Sequence, residues 1–161
     1  MKALLLTMVV ATICQLAFAA CPESDGDRPW RESGCSCYQV VLTPSTWTEA
    51  RDHCAKMLPG AHLATLTSRS EISDLLWNVM GHDVDLSLCP SLFHWIGVTD
   101  IGHDDIFTQI DGATYENWVQ PFEPHHKPDQ DDCGAMHPHG GSWYGEPCSF
   151  QHCFVCEVGT I

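Results

Sequence analysis

Basic residues are scarce. Seven Lys and Arg stand against 21 Asp and Glu, a formal net charge of −14 in 161 residues. A surface so short of cations is unsuited to nucleic acid or an anionic membrane, since both demand a basic face. After the first twenty residues there is no apolar run of the ~20 residues needed to cross a bilayer. There is no internal repeat and no low-complexity tract. No Asn-x-Ser/Thr sequon occurs, since Asn78 and Asn117 are followed by the wrong residues. Catalytic signatures are missing too. Ser142 follows glycines but Tyr144 breaks a Gly-x-Ser-x-Gly elbow, and there is no phosphate loop, dinucleotide fingerprint or His-Glu-x-x-His pair. Adjacent carboxylates such as Asp131-Asp132 read better as metal ligands than as a glycosidase pair. The expectation is a binding protein, not an enzyme.

The N-terminus is different in kind. Met1-Lys2 is followed by an apolar stretch to Phe18, and Ala17-Phe18-Ala19 has small residues at the spacing of a cleavage site. Residues 1–20 therefore read as a signal peptide, and residues 21–161 as one domain of about 140 residues. Export permits disulfides, and nine cysteines fall in that domain: Cys21, Cys35, Cys37, Cys54, Cys89, Cys133, Cys148, Cys153 and Cys156. Nine is odd, which leaves one thiol for an interchain bond or a buried free state. Cys153-x-x-Cys156 has redox spacing, but in an exported chain the structural reading is preferred.

Hydrophobic periodicity outlines the elements. Cys37–Leu42 is a strand ending before Pro44. Thr46 or Ser45 caps a helix from Trp47 to Met57, with Glu49 completing a capping box. Trp47, Ala50, Cys54 and Met57 form its inward stripe. Residues 61–66 are a short strand or extended link. Ser70 opens a second helix whose inward face is Ile72, Leu75, Leu76 and Val79. Strands follow at Trp95–Val98, Phe107–Ile110, Ala135–Met136, Ser142–Tyr144 and Cys153–Glu157. From Tyr115 to Cys133, Pro121, Pro124 and Pro128 mark a long irregular segment, which in a compact domain is usually functional.

Taken in order, Trp47 through Cys54, Trp95-Ile96-Gly97-Val98, Trp118, Glu123-Pro124, Asp131-Asp132-Cys133, Trp143 and Cys148-x7-Cys156 resemble the C-type lectin family over the whole mature chain. The resemblance implies an α+β fold: two helices beside antiparallel sheets, paired chain ends and a long ligand-binding loop. It implies disulfides Cys54–Cys156 and Cys133–Cys148. Cys21 resembles the extra N-terminal cysteine of the family's longer form, with Cys37 and Cys35 both placed to pair with it. Cys89 and Cys153 fall outside the common pattern.

In sugar-binding members Ca2+ bridges the loop to vicinal hydroxyls, through hard oxygen ligands. Glu123 and Pro124 match the first two members of the Glu-Pro-Asn triplet, and Asp131 stands at an acidic ligand position. His125 replaces the asparagine. Trp143 matches the start of Trp-Asn-Asp, but Tyr144 and Gly145 replace both oxygen ligands. An auxiliary calcium site is better represented, by Asp100, Asp104, Asp131 and Asp132, with His126 at a fifth place. The histidines His125, His126, His137 and His139, with His94, His103 and His152 elsewhere, offer Zn2+ or Cu2+ ligands or a charge switch near pH 6; most such side chains are plain surface residues. The function implied is a secreted lectin of innate immunity that binds microbial glycans. The alternative is a calcium-independent domain that binds an extracellular or cell-surface protein, and an unpaired thiol would make either a disulfide-linked homodimer.

Overall fold

The computed structural model describes residues 20–24, 28–81, 85–102, 106–118 and 132–160. Strand β1 (Arg31–Ser33) turns back into β2 (Ser36–Ser45), which leads to helix α1 (Trp47–Met57). A short β3 (His62–Leu63) precedes α2 (Arg69–Asp74), which continues as a π-helical segment, Leu75–Met80. Strands β4 (His94–Thr99), β5 (Thr108–Gln109), β6 (Asp132–Met136), β7 (Trp143–Pro147) and β8 (His152–Gly159) complete the domain. Their order is β1-β2-β8-β4-β6-β7, with β3 on β8 and β5 on β4. All pairs are antiparallel except β4 with β8. Ser36 faces Gly159, so the two ends of the domain are one ladder.

The two-residue period of the strands sorts side chains into two cores. Along β8, Phe154, Cys156 and Val158 enter one core with Trp47, Cys54 and Trp95. Val155 enters the other with Tyr38, Ile72, Leu75, Ile96, Val98, Met136 and Trp143. A strand buried on both faces reads as an unbroken apolar run, which His-Cys-Phe-Val-Cys-Glu-Val nearly is. The one carboxylate in it, Glu157, is satisfied: it accepts from Ser36 Oγ (2.7 Å), Thr65 N (2.9 Å) and Thr65 Oγ1 (3.1 Å).

Helix α1 starts at the capping box, Thr46 accepting from Glu49 N while Glu49 accepts from Thr46 N. The Glu49 carboxyl titrates below its ordinary range because the Thr46 amide and hydroxyl bond to its charged form. The second helix departs from expectation. Its cap is Ser68, in extended conformation and accepting from Glu71 N at 3.1 Å, so the helix begins before Ser70. It then widens from α to π at Leu75, which moves the buried stripe to Leu75, Val79 and Met80 and leaves Leu76 half-buried. The strand expected at Phe107–Ile110 shortens to Thr108–Gln109.

Gly97 and Gly134 allow the sheet to close. A Cβ on Gly97 would lie 2.8 Å from the Leu63 carbonyl oxygen, and one on Gly134 would lie 2.6 Å from Val98 Cβ. Disulfides join Cys21 to Cys37, Cys54 to Cys156, Cys89 to Cys153 and Cys133 to Cys148. Cys153 and Cys156 thus go to different partners and form no redox pair. Cys35 is disulfide-bonded too. The leftover thiol anticipated from the odd count is therefore absent among the described residues.

Candidate functional site

The segment 119–131 lies outside the described residues, and with it Glu123, Pro124, His125, His126 and Asp131; so do His103 and Asp104. What the structure describes is how the chain is anchored on either side. On the entering side, Gln109 Nε2 donates to Tyr115 O (2.9 Å) and to Leu66 O (3.0 Å), while its Oε1 accepts from Leu66 N (2.8 Å). A buried amide with three bonds ties the chain to the core. Next, Asn117 Nδ2 donates to Gly141 O (2.8 Å), and Asn117 O accepts from Trp143 N (2.9 Å). Trp118 makes a bridge with Trp143, their rings nearly perpendicular at 5.7 Å, and Phe107 meets Trp118 at 4.7 Å.

On the leaving side stands Asp132, the first residue of β6, 1 % exposed. Its amide donates to Asp100 Oδ1 at 2.8 Å, and the Asp100 amide returns a bond to Asp132 O at 3.2 Å. Thr99 Oγ1 also donates to Asp132 O (3.2 Å). Asp100 is 3 % exposed, so two buried acidic residues meet where β4 ends and β6 begins. One residue on, Cys133 is bonded to Cys148.

Trp143 is fully buried against Tyr115 and Trp118. It lines a cavity of about 210 Å3 with Val98, Phe107, Tyr115 and Trp118. Tyr144 turns the other way, its ring 5.0 Å from Phe93. Gly145 has no side chain. Between Trp143 and Glu146, which sits opposite Cys133, β7 therefore carries no carboxylate or amide side chain.

Burial takes His94 and His152 out of a charge switch near pH 6. His94 is buried and held to about 4, by burial first, against the bond from its Nδ1 to Leu92 O. His152 is likewise pushed down to about 4 by burial, with Nδ1 2.7 Å from Ser91 Oγ. Among the described residues the one group of three metal-capable side chains is Cys89, His94 and Cys153. Its two sulfurs are bonded to each other, so it offers no thiolate. Gln109 and Asn117 were not legible as site anchors in the sequence.

Comparison with known proteins decides the family. The family model "Lectin C-type domain" matches residues 43–158, well over half of the chain. The chain belongs to the C-type lectin domain family. Members of this family are binding proteins, not enzymes. The chain is 28 % identical over 141 residues to the C-type lectin lectoxin-Enh4 of Pseudoferania polylepis, covering 85 % of this chain and 82 % of that protein. It is 33 % identical over 127 residues to the hemolymph lipopolysaccharide-binding protein of Periplaneta americana, covering 75 % of this chain and 48 % of the relative. A calcium-independent type II antifreeze protein shares the fold, with a TM-score of 0.70 at 23 % identity over 91 % of this chain and 99 % of the other. No helix among the described residues of this C-type lectin domain is long and apolar enough to cross a membrane.

Proposed function

We propose that this C-type lectin domain, residues 21–161 of an exported chain, binds saccharides on microbial surfaces, with Ca2+ ordering the segment that meets the ligand. The observation that supports this most is the pair of buried carboxylates, Asp100 and Asp132, at the exit of that segment. Two like charges out of water repel unless a cation lies between or beside them. Their oxygens are the hard donors that Ca2+ takes. Asp100 and Asp132 would hold the ion, with Asp104 and Asp131 completing the set. The ion would supply neutralisation of those charges and a fixed path for residues 119–131. Glu123, Pro124, His125 and Asp131 then carry the contact to sugar, over the floor made by Trp143. The cockroach relative, named for binding lipopolysaccharide, supports a glycan of microbial type.

A specific observation favours a second reading, a calcium-independent domain that binds a protein. Tyr144 packs away against Phe93, so the sugar-bridging oxygens of β7 are missing. A glycan array probed with the secreted protein, with Ca2+ and again with EDTA, separates the two. The lectin reading expects hits that vanish in EDTA. A blank array from folded protein, with no heat on titrating Ca2+, would overturn it in favour of the protein partner.

A further inference from the structure

A second concave surface lies away from that segment, between the π-helical stretch and the turn that joins β6 to β7. It encloses about 500 Å3. Ile72, Leu76 and Met80 form its apolar base, and Trp77 stands in its lining with 76 % of its surface exposed. An indole so open to water is costly to leave bare, and π-helical turns are frequent at functional sites. The far wall is fixed. Gly141, at φ +73°, lies so close to helix α2 that a Cβ there would meet Ile72 Cγ2 at 2.1 Å.

The polar lining is of one kind. Arg69, Ser73, His139 and the Trp77 indole N–H are its hydrogen-bonding side-chain groups, and no carboxylate is among the described lining residues. That is unusual for a chain with 21 acidic and seven basic residues. Arg69 makes no ion pair among the described residues. Of the acidic neighbours on α2, Glu71 is engaged elsewhere, accepting from Tyr38 Oη at 2.7 Å and from Thr67 Oγ1 at 2.7 Å, and Asp74 does not line the groove.

We propose that this groove binds an anionic saccharide. The C–H face of a pyranose ring lies on Trp77, which presents a broad apolar face beside polar groups. Its hydroxyls meet Ser73 and His139. Its sulfate, phosphate or carboxylate meets the Arg69 guanidinium, whose planar fork suits paired oxygens. A protein partner fits less well, since a standard interface covers about 800 Å2 per side and would strand the unpaired guanidinium under apolar contacts. The site does not depend on the calcium reading above.

The test is calorimetric titration of the whole secreted protein in EDTA, with a sulfated disaccharide, its phosphorylated and carboxylated counterparts, and the uncharged parent. We expect the charged sugars to bind about tenfold more tightly than the parent, the effect of one charge-assisted bond. Trp77→Ala should remove binding of all four, and Trp77→Phe should restore part of it. Arg69→Gln should erase the preference for charge and keep the parent's affinity. Trp77 is exposed, so its replacement leaves the core intact. No binding by wild type in EDTA, or equal binding by wild type and Trp77→Ala, would overturn the proposal. So would sedimentation showing that Trp77 mediates self-association. Because chelator is present throughout, neither result bears on Asp100 and Asp132.

Discussion

Asp100 and Asp132 clasp each other: the Asp132 amide donates to the Asp100 carboxylate at 2.8 Å, and the Asp100 amide donates to the Asp132 carbonyl at 3.2 Å. The clasp gives Asp100 two separable jobs, as hydrogen-bond acceptor for a buried amide and as a negative charge. Asp100→Asn keeps an oxygen for the amide and removes the charge. It should fold with little loss of stability and lose the heat of Ca2+ binding. Asp100→Ala removes both and leaves the Asp132 amide unpaired, at a cost of about 1–3 kcal/mol. Denaturant midpoints with Ca2+ calorimetry on both variants check this. If the two variants were equally destabilised, the clasp would have no structural role.

The disulfides separate stability from function. Cys89–Cys153 closes a span of 64 residues and Cys133–Cys148 one of 15. In the chain-entropy model these contribute about 4 and about 3 kcal/mol. Removing the first as a double Ala variant should therefore cost more stability while leaving ligand affinity unchanged, because it lies at the His94 end of the sheet. Removing the second should cost less stability and abolish binding, because it holds β6 to the far end of β7 beside Asp132. Urea midpoints and array signals for the two double variants should run in opposite order.

Acid should loosen the domain in a defined window. His94 and His152 titrate near 4 in the folded state, against about 6.5 in an unfolded chain. The unfolded state therefore binds up to two more protons between those values. Stability is full above pH 6.5 and falls as pH drops toward 4. His94→Gln should flatten part of that slope, and the denaturant midpoint measured from pH 7.5 to 4 reads it directly. A midpoint independent of pH in that range would show that both rings titrate alike in the folded and unfolded states, and would overturn the prediction.

Where local chemistry and burial agree, the sequence was readable. The 3-4 spacing of Trp47, Ala50 and Cys54 with the Thr46 and Glu49 cap marked α1 to the residue. Trp95 through Val98 marked β4 because apolar β-branched runs have few other homes. What was hidden depends on contacts distant in sequence. The widening of the second helix at Leu75, which buries Val79 and Met80, leaves no mark in the spacing of its apolar residues. Gln109 in isolation is a polar strand residue; it becomes an anchor only when Leu66 and Tyr115 are folded around it. Tryptophan was read for its bulk, but its N–H distinguishes the cases: Trp47 and Trp95 donate to Ile96 O and Ser45 O at 2.8 Å, whereas Trp143 Nε1 is buried with no such bond among the described residues.

That difference makes a prediction. Trp47→Phe and Trp143→Phe remove the same atoms from equally buried positions, so their loss of packing is similar. Only the first also withdraws a hydrogen bond from a buried carbonyl, adding about 1–3 kcal/mol. Equilibrium unfolding should show Trp47→Phe the more destabilised. Equal losses would place a bound water or other acceptor on Trp143 Nε1.

The closest packing in the sheet gives the sharpest test. Gly134 on β6 sits against Val98 on β4, and a methyl group there would lie 2.6 Å from Val98 Cβ, a separation that carbon atoms do not tolerate. Val98 is buried and flanked by Phe107 and Trp143 around the cavity, so it cannot simply rotate away. Gly134→Ala must push β6 from β4, at a cost of about 1–3 kcal/mol. The displacement would be felt first by Asp100 and Asp132, which link the same two strands one step further on. Gly134→Ala should therefore weaken Ca2+ binding as well as lower the unfolding midpoint. Val98→Gly in the same chain removes the Cβ that the methyl would meet and should restore calcium affinity. Unchanged calcium affinity in Gly134→Ala would mean that the clasp is not set by the spacing of β4 and β6.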